Sequence, residues 1–179
     1  MKKMLVFVLI MLVSVAGCAV TRPGKSPESY LQVMAEKERV IETSNKLFLC
    51  TDNRDWKCVK DLFASEVLFD MTSIGGGHPT KLTPQQIVDG WEQGLKGLKA
   101  IHHQAGNYLV AIKGNEAELF CYGIALHYLP NRTNQNTRTF VGSYNFHLWK
   151  TDGAWKIDRF KFNLKFIDGN KDLEAAERK

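Results

Sequence analysis

The chain has 179 residues, 44% of them hydrophobic and 11% aromatic, enough for one globular domain with a sizeable core and too few for a second domain of normal size. Its 24 basic and 19 acidic residues leave a net charge of +5. The basic residues are scattered rather than gathered into a stripe, which speaks against a nucleic-acid-binding surface.

The first 18 residues, MKKMLVFVLIMLVSVAGC, run from two lysines through an apolar stretch, Met4 to Val13, to small residues. This is the order of a secretory signal, and the apolar stretch is too short for an ordinary membrane span. Its end, Val15-Ala16-Gly17-Cys18, resembles the bacterial lipobox, in which the cysteine is lipidated and becomes the first mature residue. The expectation is a lipoprotein signal peptide over 1–17, a lipidated Cys18, a tether over 18–27 and a place in the cell envelope. Ala19 in place of an aspartate points to the periplasmic side of the outer membrane. Acyl chains contribute ~0.8 kcal/mol per buried methylene, so the anchor would hold stably. In an oxidising compartment, Cys50 and Cys58, which bracket Thr-Asp-Asn-Arg-Asp-Trp-Lys, are candidates for a disulfide. Closing that loop would add roughly 2–3 kcal/mol, and the sequence leaves open whether it forms. Cys121 reads as a small buried hydrophobe. No cysteine or histidine spacing fits a zinc site, so neither metal nor cofactor is expected.

From Glu28 to Leu49, Tyr30, Leu31, Met34, Val40, Ile41, Leu47 and Phe48 recur at helical spacing. The stretch Asp52 to Asp55 breaks this helix, and Asp55 suits the N-cap of a short second helix through Trp56, Val59, Leu62 and Phe63. Glu66 to Met71 reads as a short strand. The following Gly75-Gly76-Gly77 lacks the Gly-Lys-Ser/Thr end of a phosphate-binding loop and reads as a flexible rim. Thr83-Pro84-Gln85-Gln86 opens a third helix with a capping residue, a proline in first position and a capping-box glutamine, followed by apolar Ile87, Val88, Trp91 and Leu95.

Two hairpins complete the domain. Asn107 to Lys113 and Glu116 to Leu129 flank Gly114-Asn115, while Thr139 to Phe166 turns at Thr151-Asp152-Gly153. In the last hairpin Val141, Ser143, Asn145, His147 and Trp149 share one face, and Phe140, Gly142, Tyr144, Phe146 and Leu148 share the other. Lys171 to Lys179 reads as a solvated, charged tail within the segment 168–179. The order predicts an α+β domain over 28–167, a cone-shaped α+β barrel with three N-terminal helices packed on a curved, mainly antiparallel sheet. Such a cone leaves a cavity between the helices and the concave face.

Asp52-Asn53-Arg54-Asp55-Trp56, His103 followed by Asn107, and Ser143-Tyr144-Asn145-Phe146-His147 leading into Asp152-Gly153-Ala154-Trp155-Lys156 together resemble the nuclear transport factor 2-like fold. More narrowly they resemble the SnoaL-like group that contains scytalone dehydratase. The resemblance implies that His103 is a general base and Asp52 its hydrogen-bonded orienter, and that Ser143 and Asn145 line the pocket and hold the substrate. It also implies that the greasy row through Phe140, Tyr144 and Phe146 is buried against another sheet, a subunit or the tail. A carboxylate on one imidazole nitrogen fixes the tautomer and raises the basicity of the other, which can take a proton from carbon beside a carbonyl.

Departures accompany the likeness. Thr51 and Met71 stand where the family has two tyrosines, and Gly123 where it has a second histidine. His127, four residues on and on the same strand face, joins Met71 among the substrate-binding candidates. Asp52 also suits a helix-terminus cap, and His102 is the immediate neighbour of His103. Two readings follow. One is an envelope lyase or isomerase acting on a small hydrophobic or cyclic molecule. The other is a non-catalytic lipoprotein that binds a ligand or a partner, with a homodimer through the sheet face among the expectations.

Overall fold

The computed structural model describes residues 27–174. The expected signal peptide, Cys18 and the tether up to Ser26 lie outside the described residues, as does the chain after Glu174. Helix α1 (Pro27–Asp52) outruns the predicted segment because polar residues in its last turns are satisfied locally. Thr51, for example, turns its hydroxyl back onto the Leu47 carbonyl at 2.7 Å. Its buried positions, Val40, Thr43, Ser44, Leu47, Phe48 and Thr51, follow the three-and-four spacing of one helix face. Arg54 adopts a left-handed φ of 54° and ends the helix. Asp55 then caps α2 (Trp56–Leu62), accepting the Cys58 N–H at 3.0 Å. Cys50 and Cys58 form a disulfide with a Cα separation of 5.9 Å, tying the end of α1 to α2. Among the described residues no helix is long and apolar enough to cross a membrane.

Strand β1 (Phe63–Asp70) follows α2 directly. A single turn, α3 (Thr72–Gly75), and strand β2 (Thr80–Leu82) come next, both too short for periodicity to reveal them. Helix α4 (Pro84–Leu95) begins with a complete capping box: Gln86 N–H donates to Thr83 Oγ1 at 3.3 Å, and Thr83 N–H to Gln86 Oε1 at 2.8 Å. Strands β3 (Ala100–Lys113), β4 (Glu116–Tyr128), β5 (Thr137–Thr151) and β6 (Ala154–Gly169) follow. Strand β3 starts well before the predicted Asn107, because a bulge at Gly106 to Leu109, with Asn107 at φ 57°, interrupts the alternation that marks a strand. Its early start places His102 and His103 within the sheet.

The sheet order is β2-β1-β6-β5-β4-β3. Every neighbouring pair is antiparallel except β1 with β6. The β5–β6 turn holds Asp152 and Gly153 at φ 50° and 78°, the paired positive values of a tight hairpin turn. Register shifts at Val141/Gly142 and His147/Leu148 add twist and bend the sheet. Its concave face presents Leu119, Phe146, Leu148, Ile157 and Phe160 to Val40, Leu47, Val59, Ile87 and Val88 of the helices, all in one buried cluster. Each such side chain contributes roughly 1.5–3 kcal/mol by leaving water. The protein is thus an α+β cone with helices on one face of a curved, mainly antiparallel sheet.

The chain after β6 departs from the expected solvated tail. Leu173 is fully buried in a second cluster with Leu98, Ile101 and Leu129. Glu174 pairs with Arg138 through bonds of 2.8 and 2.5 Å. One apolar residue among charges anchors this segment, and a lone leucine leaves no periodic signal.

Candidate active site

Between α1, α3, α4 and the concave sheet lies a cavity of about 200 Å³ whose lining is overwhelmingly apolar. Phe48, Trp91, Tyr144 and Phe160 contribute ring surface, and exposed Ile74, Gly90 and Gly94 stand where it meets solvent. An apolar cavity of ~150 Å³ can hold a benzene-sized molecule, so this one accepts a single small ring with substituents.

Polar chemistry enters from two strands and the end of α1. Asp52 occupies the last position of α1, where the helix dipole disfavours a carboxylate. It does not cap the next helix, a role that belongs to Asp55. Its Oδ2 accepts the main-chain N–H of His103 at 2.8 Å, and its Oδ1 meets His103 Nδ1 at 2.6 Å. A carboxylate only accepts, so Nδ1 carries the proton and the Nε2 lone pair is left available. The ring stacks on Phe48 with centroids 5.3 Å apart and planes at 19°. Held at main chain, ring edge and ring face, His103 has one orientation. His102, with its side chain 72% exposed and its Nδ1 4.0 Å from Asp52 Oδ2, does not line the cavity.

His127 also lines the cavity, with Nδ1 3.1 Å from Arg138 Nη2. Burial, then the Arg138 and His103 charges, lowers its pKa to about 4. The Tyr144 ring lies in the wall, its phenol pushed well above the ordinary value by burial, with the nearby Asp52 carboxylate adding to the shift. Tyr144 therefore remains a protonated donor. A Cβ on Gly123 would come within 2.2 Å of Tyr144 Cε2, so only glycine fits beneath that ring. Met71 lines the cavity. Thr51 lies beside it with its hydroxyl committed to the helix. Among the described residues no group of three His, Cys, Asp or Glu could hold a metal ion.

Asp52, His103, His127 and Met71 thus come together around one cavity. Ser143 and Asn145 do not, and this corrects the expectation that they form its inner wall. They lie on the opposite face of β5, where Asn163 Nδ2 donates to Asn145 Oδ1 at 2.8 Å and approaches Ser143 Oγ at 3.5 Å. The aromatic row through Phe140, Tyr144 and Phe146 faces the helices instead of a second sheet or subunit. Helices with apolar faces demand an apolar partner, and a strand displaced by one residue presents its other face. Of the residues that sequence reasoning missed, Tyr144 and Phe140 belong to that row, and Phe162 stands opposite Tyr144 on β6. Asking which face of β5 could cover Leu47 and Phe48 would have found the first two.

The cone and its cavity define a protein of the nuclear transport factor 2-like class. Among solved structures, the chain superposes on the Kfla4162 protein of Kribbella flavida with a TM-score of 0.76 at 18% identity, over 80% of this chain and 99% of that one. It matches a scytalone dehydratase-like protein of Novosphingobium aromaticivorans at 0.69 and 15%, covering 79% and 91% of the two chains. A hexachlorocyclohexane dehydrochlorinase of Novosphingobium barchaimii matches at 0.66 and 11%, covering 79% and 94%. No curated protein matches the sequence. Residues 32–161 match the SnoaL-like domain model, and the chain belongs to that family.

Proposed function

We propose that this SnoaL-like protein is a proton-transfer enzyme, a lyase or isomerase acting on a small, largely apolar cyclic carbonyl compound. The observation that carries this reading is the Asp52–His103 pair, joined at 2.6 Å, with His103 lining an apolar cavity of about 200 Å³. His103 Nε2 takes a proton from the carbon beside the carbonyl. The C–H electrons move into the carbonyl to form an enolate, and Asp52 stabilises the imidazolium. Collapse of the enolate then expels a β-substituent, as in a lyase, or the proton returns at another carbon, as in an isomerase. A base so positioned contributes roughly 10²–10⁴ in rate. Solved structures of similar fold include a scytalone dehydratase-like protein and a hexachlorocyclohexane dehydrochlorinase, names that support a proton-abstracting site.

The test is exchange of the α-hydrogens of cyclohexanone and its hydroxy derivatives for deuterium, followed by NMR with the wild type and His103→Ala. Loss of exchange in the variant supports the base. Equal exchange removes it and leaves the second reading, a ligand-binding protein without catalysis.

The proposal extends to location and assembly. Cys18 anchors the domain to the envelope membrane, on the periplasmic side of the outer membrane, and metabolic palmitate labelling that disappears in Cys18→Ser tests this. The outer sheet face exposes Leu109, Tyr122, Ile124 and Phe166, which favours a second copy docking there. A sedimentation mass equal to one chain at high concentration would reject the dimer.

A further inference from the structure

We propose that Arg138 is a positioning residue for His127, fixing it as a neutral imidazole that carries its proton on Nε2 and donates to the carbonyl oxygen of the ligand while His103 takes the proton. This deepens the proton-transfer reading and rests on it for the identity of the ligand; the state of His127 does not depend on it.

The geometry leaves little choice of tautomer. A guanidinium has five N–H donors and no acceptor. With Arg138 Nη2 3.1 Å from His127 Nδ1, that nitrogen must accept, and the ring proton must sit on Nε2. No second partner engages the His127 ring by hydrogen bonding among the described residues. The ring lies against Phe140, centroids 5.2 Å apart, and lines the cavity.

Arg138 is itself held. Glu174 accepts from both terminal nitrogens, at 2.8 and 2.5 Å, and the Lys171 carbonyl accepts from Nη1 at 3.3 Å. The guanidinium also lies 5.3 Å from the Phe140 ring centroid. Buried Leu173 fixes the segment that supplies these acceptors. The charged groups facing His127 are Arg138 from β5, His103 from β3, Asp52 from α1 and Glu174 from the chain after β6. Protonating His127 would put a second cation against Arg138, which disfavours the charged form.

The chemical consequence is a division of labour between two histidines. His103 offers a lone pair because its Nδ1 meets an obligate acceptor. His127 offers an N–H because its Nδ1 meets an obligate donor. A compound with a carbonyl oxygen next to an acidic C–H satisfies both. Donors aimed where charge develops can be worth 10²–10³ in kcat when the site excludes water.

The experiment is long-range ¹H–¹⁵N spectroscopy of the ¹⁵N-labelled, ligand-free protein, which reports each histidine's tautomer and titration. Wild-type His127 should show a protonated Nε2 and an accepting Nδ1, and titrate near 4. In Arg138→Met the midpoint should rise above the wild-type value and stay below the ordinary 6.5, because burial, the larger cause, remains. Arg138→Lys, which keeps a donor and a charge, should hold it low. For cyclohexanone exchange, Arg138→Met should lose at least roughly tenfold in kcat at neutral pH with KM little changed, and Arg138→Lys should recover much of it. A proton on Nδ1, or a wild-type midpoint near 6.5, would overturn the proposal even if Arg138→Met failed to fold. Equal midpoints in the wild type and Arg138→Met would overturn it too. Absence of exchange in the wild type overturns the proton-transfer reading and the ligand assignment, while the spectra still decide whether Arg138 positions His127.

Discussion

Replacing Asp52 by asparagine separates an orienting carboxylate from a merely structural one. Asp52 accepts twice from His103, at the main-chain N–H (2.8 Å) and at Nδ1 (2.6 Å). An asparagine has only one oxygen. If that oxygen keeps the main-chain bond, the amide NH₂ faces Nδ1, makes it an acceptor, moves the ring proton to Nε2 and abolishes the base. If the oxygen keeps Nδ1, the NH₂ opposes a main-chain N–H in a largely buried site, at a cost of about 1–3 kcal/mol. Removing a negative charge from the C-terminus of α1 returns about 0.3–1 kcal/mol. The first arrangement is therefore favoured. The expected outcome is a loss of roughly 10²–10⁴ in α-hydrogen exchange with at most about 2 kcal/mol lost in stability. Exchange kinetics together with urea unfolding measure both. Exchange within about twofold of wild type in a folded variant would refute the orienting role.

Gly94→Ala tests the cavity mouth. A Cβ there meets nothing within 4 Å, so helix propensity should raise stability by about 0.5–1 kcal/mol. The added methyl narrows the entrance, so KM for a ring-sized ketone should rise several-fold, read by thermal unfolding and exchange kinetics. The pH dependence of stability carries the mark of His127. Its folded pKa of about 4 lies below the ordinary 6.5, so the unfolded chain binds the proton more readily in between. Its contribution, on the order of 3 kcal/mol, is fully present above pH 6.5 and is lost as pH falls toward 4, which urea midpoints across that range should follow. Leu173→Ala empties a fully buried site and should cost about 2–5 kcal/mol in urea unfolding, with faster amide exchange at the end of β6.

Most of the architecture was legible because it is written in local chemistry. Thr83 and Gln86 announce the start of α4, Asp55 caps α2, and Asp152-Gly153 forces the last hairpin. The partners Asp52 and His103 stand 51 residues apart in sequence, and only the family resemblance brought them together. The face of β5 was misassigned for a physical reason. Strand faces alternate at every residue, so Ser143 and Tyr144 are equally good readings of the inner wall until the helices choose between them. Polar residues look like a binding surface, yet this cavity is walled with aromatic rings. The closure by Leu173 and Glu174 was hidden because a single leucine in a run of charges is indistinguishable from an exposed one.

Gly123 and Tyr144 amount to one trait encoded at two positions. With Tyr144 Cε2 2.2 Å from where a Cβ would sit, no histidine can be installed at Gly123 while the tyrosine keeps its place. The pair therefore acts as a latch on the chemistry of this cavity, because no side chain can enter the wall at position 123 unless Tyr144 changes with it.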